Sequence, residues 1–274
     1  MKKPSAVFTD LDGTLIGKNG QISGQDLDTI KRLKEMDVPV FIMTGRNFQF
    51  CYKYAADIGL SHPTACANGA MIYDFARKET VMSWEIKTDV SRAIFTYLFE
   101  SGSEFILYTP EGAFFSQGAK RADHWQRVMD SFEAPYRFPI RFMDADFPIE
   151  RHQVLKFLLP YVDADMQQRM EERFNQSGEL AIVSSGKGLV DMNSAESSKG
   201  RAAQFLCARY GIDPRYAVAV GDNFNDESML GVCGYPVATA NAEEDIKKLA
   251  VFVTTDYENS PMTHAIGTLF PDLR

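Results

Sequence analysis

Three short apolar runs in this chain stop abruptly at polar clusters, and no other feature limits the fold as strongly. Ala6-Val7-Phe8-Thr9 ends at Asp10-Leu11-Asp12-Gly13-Thr14, and Val38-Pro39-Val40-Phe41-Ile42-Met43 ends at Thr44-Gly45-Arg46. Ala217-Val218-Ala219-Val220 ends at Gly221-Asp222-Asn223-Phe224-Asn225-Asp226. Short, β-prone and continuously apolar, these runs predict strands covered on both faces. Helical spacing fills the intervals. Leu27, Ile30, Leu33 and Met36 follow Ser23, a residue suited to cap a helix. Phe48, Cys51, Tyr52 and Ala55 predict a helix ending near Gly59, and Ala203, Phe205, Leu206 and Tyr210 one ending near Gly211. A short helix around Met229, the run Pro236-Val237-Ala238-Thr239, a helix capped by Asn241 and the run Val251-Phe252-Val253 complete the pattern. Strands alternating with helices imply an α/β fold on a parallel sheet.

The middle of the chain has a different texture. A helix from about Asp89 to Glu100 precedes Phe105-Ile106-Leu107-Tyr108, a turn at Pro110-Glu111-Gly112 and Phe114-Phe115, the pattern of a hairpin. A similar order recurs: the run Val154 to Leu159, a helix from Met166 to Phe174, and Leu180 to Val183 and Leu189 to Met192 flanking Gly186-Lys187-Gly188. With 274 residues against a prior of about 150 per domain, two domains are expected. The expected division is an α/β core from residues 1–83 and 190–274, and an inserted α+β domain from residues 84–189.

Polar clusters at the C-terminal ends of parallel strands carry a chemical implication, because ligands of open α/β sheets bind in the crevice outside those ends. Asp10, Asp12, Asp222 and Asp226 would converge there. Like charges so close cannot all stay ionised unless protons or a cation join them, and hard oxygen donors favour Mg²⁺ over a soft transition metal. Taken singly, each cluster is uninformative: Asp-Gly is a common turn and Thr-Gly-Arg a common tripeptide. A calcium loop from Asp222 would need glycine at its sixth position, where Glu227 stands. Gly186-Lys187-Gly188 lacks the context of a phosphate-binding P-loop, and no GxGxxG fingerprint occurs.

In combination and in this order, Asp10-Leu11-Asp12-Gly13-Thr14, Thr44-Gly45-Arg46, Ser198-Lys199-Gly200 and Gly221 to Asp226 resemble the motifs of the haloacid dehalogenase superfamily of phosphatases. The insert resembles the cap of its Cof-type, type IIB branch, and Asn68-Gly69-Ala70 extends the likeness across the core. The resemblance implies a Rossmann-like core, Mg²⁺ as cofactor and hydrolysis of small phosphate monoesters, such as sugar phosphates, through an aspartyl-phosphate. It implies Asp10 as nucleophile and Asp12 as general acid and base, with Asp10, Asp222 and the Asp12 carbonyl as metal ligands. Thr44, Gly45 and Lys199 would bind the phosphoryl group, and Asn225 and Asp226 would orient Lys199 and the metal's waters.

Asp12 narrows the reaction, since dehalogenases of this type lack an acid there and P-type ion pumps carry Thr. A phosphomutase and a non-catalytic binder of phosphometabolites are the alternatives. Two departures from the family pattern stand out: Glu196-Ser197 before Ser198-Lys199-Gly200, and the region around Ser260-Pro261. Both lie at the edges of the core.

The net charge of −8 argues against nucleic acid and anionic membranes as partners. Lys2 and Lys3 precede too few apolar residues for a signal peptide, and no run reaches the roughly 18 apolar residues of a membrane span. A cytoplasmic monomer or small homo-oligomer acting on a small phosphorylated metabolite is expected. Cys51, Cys66, Cys207 and Cys233 form no CxxC pair and read as buried thiols. His62, His124, His152 and His264 have no ligand spacing. Phe105, Tyr108, Phe114, Phe115, Trp125, Tyr136 and Phe138 read mainly as the insert's own core. Lys187 stands in a turn from which it could reach substrate. Specificity is expected to reside in the insert.

Overall fold

The computed structural model describes residues 3–186 and 188–273, so Lys187 lies outside the described residues. The apolar runs form one five-stranded parallel sheet, in the spatial order Phe252–Val253, Tyr235–Ala238, Val218–Gly221, Val7–Thr9, Val40–Ile42. Side chains sort by the two-residue period of a strand. Val7, Val40, Ile42, Val218 and Val220 enter one apolar cluster with Ile30, Leu33 and Ile266. Phe8, Phe41, Ala219 and Ala238 enter another with Ala203, Leu206, Met229 and Ile246. Helices Gly24–Glu35, Tyr52–Ile58 and Pro261–Leu269 therefore cover one face. Helices Lys199–Tyr210, Glu227–Val232 and Glu244–Leu249 cover the other.

Val7–Thr9 lies at the topological switch point. The chain leaves it toward Val40–Ile42 on one side and returns at Val218–Gly221 on the other. A crevice opens between the diverging connections, and Asp10 emerges into it.

Ser23 caps its helix as expected, its side chain accepting from Asp26 N–H at 3.0 Å. Asn241 does not cap one. The helix there starts at Glu244 with Glu243 at the cap position. Asn241 instead donates to the Gly13 carbonyl at 2.9 Å and accepts from Tyr257 N–H at 3.2 Å, tying down the loop after the first strand. An antiparallel sheet of Thr64–Cys66, Met71–Asp74 and Glu79–Ser83 was not anticipated; it joins the central sheet through a bridge from Met43 to Ala65.

The middle of the chain forms a six-stranded sheet in the order Leu180–Gly186, Leu189–Ser194, Lys156–Pro160, Ile106–Thr109, Gly112–Ser116, Arg141–Met143. Both expected hairpins are present, and only the last pair is parallel. Leu107, Phe157, Leu159, Val190 and Met192 face helices Thr88–Glu100 and Ala164–Phe174. The alternate residues Ile106, Tyr108 and Leu158 share a cluster with the first face of the central sheet and with Trp125 of helix Lys120–Ser131. One apolar cluster thus runs from the central sheet through Phe48, Phe50 and Tyr54 to the second sheet. All four cysteines are buried and free, and among the described residues no helix is long and apolar enough to cross a membrane.

Candidate active site

Asp10 continues the ladder of its strand, its N–H donating to the Val220 carbonyl at 3.0 Å. That bond holds the side chain at the C-terminal edge of the sheet, where it is 5 % exposed. Lys199 meets it from the other direction. Ser198 caps the helix by accepting from Arg201 N–H at 3.0 Å, which makes Lys199 the first helical residue. Its Nζ lies 2.8 Å from Asp10 Oδ1 and 2.6 Å from Asp226 Oδ1. Burial works against the ammonium charge, but the two carboxylates outweigh it and raise its pKa.

Asp226 is saturated. Its second oxygen accepts from Asp222 N–H at 2.9 Å and Asn223 N–H at 3.1 Å, so the carboxylate folds the Gly221-to-Asp226 loop around itself. Asp222 is freer, with Oδ1 accepting from Thr14 Oγ1 at 3.0 Å. Gly13 has φ +75° and packs so closely that a Cβ there would stand 2.4 Å from Asp222 Oδ2. Only glycine meets both conditions. Burial pushes the Asp10 carboxyl up to about 7, opposed by Lys199 and reinforced by Asp226 and Asp12. Burial likewise raises Asp222 well above its ordinary value, with Asp10 and Asp226 adding repulsion.

Asp12 is in a different state. Arg46 grips it with two parallel hydrogen bonds, Nε to Oδ2 at 2.7 Å and Nη2 to Oδ1 at 2.6 Å. Although burial pushes upward, this guanidinium holds the Asp12 carboxyl below the usual range. Arg46 is itself braced between Tyr54 and Trp125, with its Cζ 4.9 Å and 5.3 Å from their ring centroids. Trp125 stacks on Phe50 at 3.9 Å between ring centroids.

A cavity of about 350 Å³ brings Asp10, Asp12 and Asp222 together with Tyr108, Arg121 and Lys156 of the insert. Gly45, His124, Trp125 and Asn225 also line it. Thr44 is fully buried; its hydroxyl accepts from Arg46 N–H at 3.1 Å, and its carbonyl accepts from Asn68 N–H at 2.9 Å. Asn225 donates to Asn68 Oδ1 at 3.0 Å rather than contacting Lys199. Asn68 in turn donates to Asp191 Oδ2 at 2.7 Å.

Lys156 and Asp191 were not singled out by sequence. They form a buried ion pair at 2.7 Å, and Lys156 Nζ also donates to the Gly45 carbonyl at 2.9 Å. Burial lowers the Lys156 pKa despite that partner. The available signal was a charged residue inside each of two apolar strands, Lys156 beside Phe157 and Asp191 beside Met192. Arg121 and Trp125 come from helix Lys120–Ser131, which the sequence reading passed over.

Carboxylate oxygens of Asp10, Asp222 and Asp226 lie within 4.8 Å of one another. Lys199 touches two of them, and among the described residues Asp222 has no cationic partner in contact. Buried, crowded, hard oxygen donors with too little positive charge suit a small divalent cation. Asp226 already spends both oxygens on Lys199 and backbone N–H groups, which leaves Asp10 and Asp222 as the available donors.

The sequence pattern of the haloacid dehalogenase-like hydrolases matches residues 7–266. The 5-amino-6-(5-phospho-D-ribitylamino)uracil phosphatase YwtE of Bacillus subtilis is 31% identical, over 96% of this chain and 97% of that one. The pyridoxal phosphate phosphatase YbhA of Escherichia coli is 24% identical, over 91% and 93%. Among solved structures, a superfamily phosphatase from Bacteroides thetaiotaomicron superposes with a TM-score of 0.81 at 20% identity, covering 99% of this chain and 96% of that one. A subclass IIB sugar phosphatase of the superfamily gives 0.81 at 19% identity, covering 97% and 98%. From its matched sequence pattern, its full-length relatives and its fold, the chain belongs to the haloacid dehalogenase-like hydrolases.

Proposed function

We propose that this protein is a Mg²⁺-dependent phosphatase that hydrolyses small phosphate monoesters through a phosphorylated Asp10. One observation carries the reading: Asp10, Asp12 and Asp222 line one cavity, with Lys199 Nζ 2.8 Å from Asp10 and Arg46 forked onto Asp12, so that an attacking carboxylate and a proton-exchanging one stand side by side. Attack needs Asp10 ionised, and a cation held by Asp10 and Asp222 would favour that form. The relatives named as phosphatases support the reaction class.

Asp10 attacks phosphorus, forming a bond to one carboxylate oxygen as the ester oxygen leaves. Asp12, which Arg46 keeps ionised in the free protein, takes the proton that a phosphate monoester monoanion brings and passes it to that oxygen; its carboxylate then takes a proton from the water that attacks phosphorus and frees Asp10. The fork from Arg46 fixes Asp12 in one orientation for both transfers. Lys199, already on Asp10, offsets the charge of the phosphoryl oxygens, with Thr44 and Gly45 as further contacts. Asp10, Asp222 and the Asp12 carbonyl are the proposed holders of Mg²⁺, which when bound neutralises the crowded carboxylates and the incoming phosphate.

Residues 84–189, extended through Ser194 because Leu189–Ser194 is an interior strand of the second sheet, are proposed as a cap over this core, and small metabolites of the sugar-phosphate kind as the substrates. The test is hydrolysis of p-nitrophenyl phosphate with Mg²⁺ by the intact protein and by Asp10→Asn. Turnover in the first and none in the second is expected. Absence of turnover in the intact protein over a broad phosphomonoester panel would sink the reading.

A further inference from the structure

The cavity above Asp10 holds two buried N–H donors that no acceptor satisfies. Arg121 Nε and Trp125 Nε1 are both shut off from solvent and without a hydrogen-bond partner among the described residues, and both residues line the cavity that contains Asp10 and Asp12. They stand four residues apart on helix Lys120–Ser131, a spacing that puts them on one face. Buried donors are almost always paired, so two neighbours left open point to an acceptor supplied by a ligand.

The charge balance agrees. Lys199 is paired with Asp10 and Asp226, Arg46 with Asp12, and Lys156 with Asp191. Arg121 is the cation at this cavity whose side chain has no carboxylate partner among the described residues. Its backbone N–H donates to Glu104 Oε1 at 2.9 Å, while its guanidinium makes no ion pair among the described residues and acts on Asp12 only through space. Because the residue is only partly buried, rotation about its own side-chain bonds can turn the guanidinium onto a ligand. Trp125 cannot turn as freely, being stacked on Phe50 with Arg46 against its ring.

We infer that Arg121 and Trp125 form a leaving-group subsite for a carboxylate, so that among small phosphorylated metabolites the preferred substrates are those whose alcohol portion carries a carboxylate, phosphorylated sugar acids included. The inference rests on the reading of Asp10 and Lys199 as the phosphoryl site. One unpaired guanidinium matches one negative charge, and its planar fork matches the two oxygens of a carboxylate. An alcohol portion with no second oxygen would leave both donors unpaired, and one with only hydroxyls would accept from them without meeting the guanidinium charge.

Two non-hydrolysable phosphonates test this by calorimetric titration of the full chain in Mg²⁺. 3-Phosphonopropionate and propylphosphonate share the phosphonate and the chain and differ in carrying carboxylate or methyl at the far end. The first should bind about 10- to 100-fold more tightly, the worth of hydrogen bonds to a charged group. That ratio should collapse to within about threefold in Arg121→Met and recover in part in Arg121→Lys. Trp125→Phe keeps the ring, removes the N–H and should lower the ratio about threefold to tenfold; it serves as the test if Arg121→Met does not fold. Equal affinities in the unmodified protein overturn the subsite and leave the phosphoryl site standing. Equal weakening of both compounds by Arg121→Met, with the ratio unchanged, also overturns it and assigns Arg121 to the phosphoryl group. Binding of neither compound to the unmodified protein contradicts the phosphoryl-site reading and the subsite with it.

Discussion

Arg46 and Asp12 meet fork to fork, through hydrogen bonds of 2.7 and 2.6 Å, although Asp12 remains 55% exposed to the cavity. An open carboxylate held in one orientation suits proton transfer, since the group is both accessible and aimed. Asp12→Asn should therefore lower kcat by about 10²–10⁴-fold on alkyl phosphates. Arg46→Lys keeps the charge and loses the fork, and should cost on the order of tenfold. Both losses should shrink with p-nitrophenyl phosphate, whose leaving group needs little protonation. Equal losses on both substrates, measured as kcat, would contradict a role for Arg46 through Asp12.

Stability of the metal-free protein should fall as pH rises from about 4 toward 7. Asp10 is raised from 3.8 to about 7, so the folded state keeps a proton that the unfolded chain has released. Where the folded state binds more protons, stability decreases with pH. Asp222 is shifted in the same direction. Asp12 is shifted down, so its contribution is present above the ordinary carboxylate range and is lost on acidification. In EDTA, Asp10→Asn should melt above the unmodified protein near neutral pH, and the difference should narrow toward about pH 4. Thermal melts in which the variant is the less stable at neutral pH would contradict this.

Lys156 and Asp191 are 1% and 0% exposed, and removal of either leaves the other buried and uncompensated. Asp191→Ala should cost about 3–5 kcal/mol in urea unfolding. Lys156→Met with Asp191→Leu should recover most of that stability, because the cost is one of unpaired charge. A double variant no more stable than the single one would show that the pair contributes by another route.

Chelation should silence turnover and Mg²⁺ should restore it, while Ca²⁺ should substitute poorly because its larger, looser coordination misplaces the carboxylates. Steady-state rates after exhaustive dialysis against EDTA provide the check. Undiminished rates would remove the metal from the account.

Legibility in the sequence followed the strand pattern. Asp10, Thr44 and Asp222 each follow an uninterrupted apolar run, so the period of the sheet and the end of the strand were both visible. Lys156 and Asp191 were hidden because they lie within strands and 35 residues apart in sequence, and meet only through the antiparallel pairing of Lys156–Pro160 with Leu189–Ser194. In that register Asp191 faces Leu158 and Lys156 faces Asn193, which puts both charges on the face opposite Phe157 and Met192. Arg121 and His124 sit on a helix whose composition reads as solvated surface, and their position over Asp10 depends on how the second sheet packs against the first. Asn241 shows the reverse error: a residue with strong local cap propensity is taken by a tertiary contact to Gly13.

Phosphorylation of Asp10 is the claim on which the mechanism turns, and rapid acid quench during turnover tests it most directly. Intact protein mixed with excess substrate and Mg²⁺, quenched within a turnover and mapped by mass spectrometry, should carry phosphate on the peptide containing Asp10. Asp10→Asn should carry none and should not turn over. Phosphate release by the Asp10→Asn protein at a near-normal rate, with no phosphopeptide in the intact enzyme, would contradict the account.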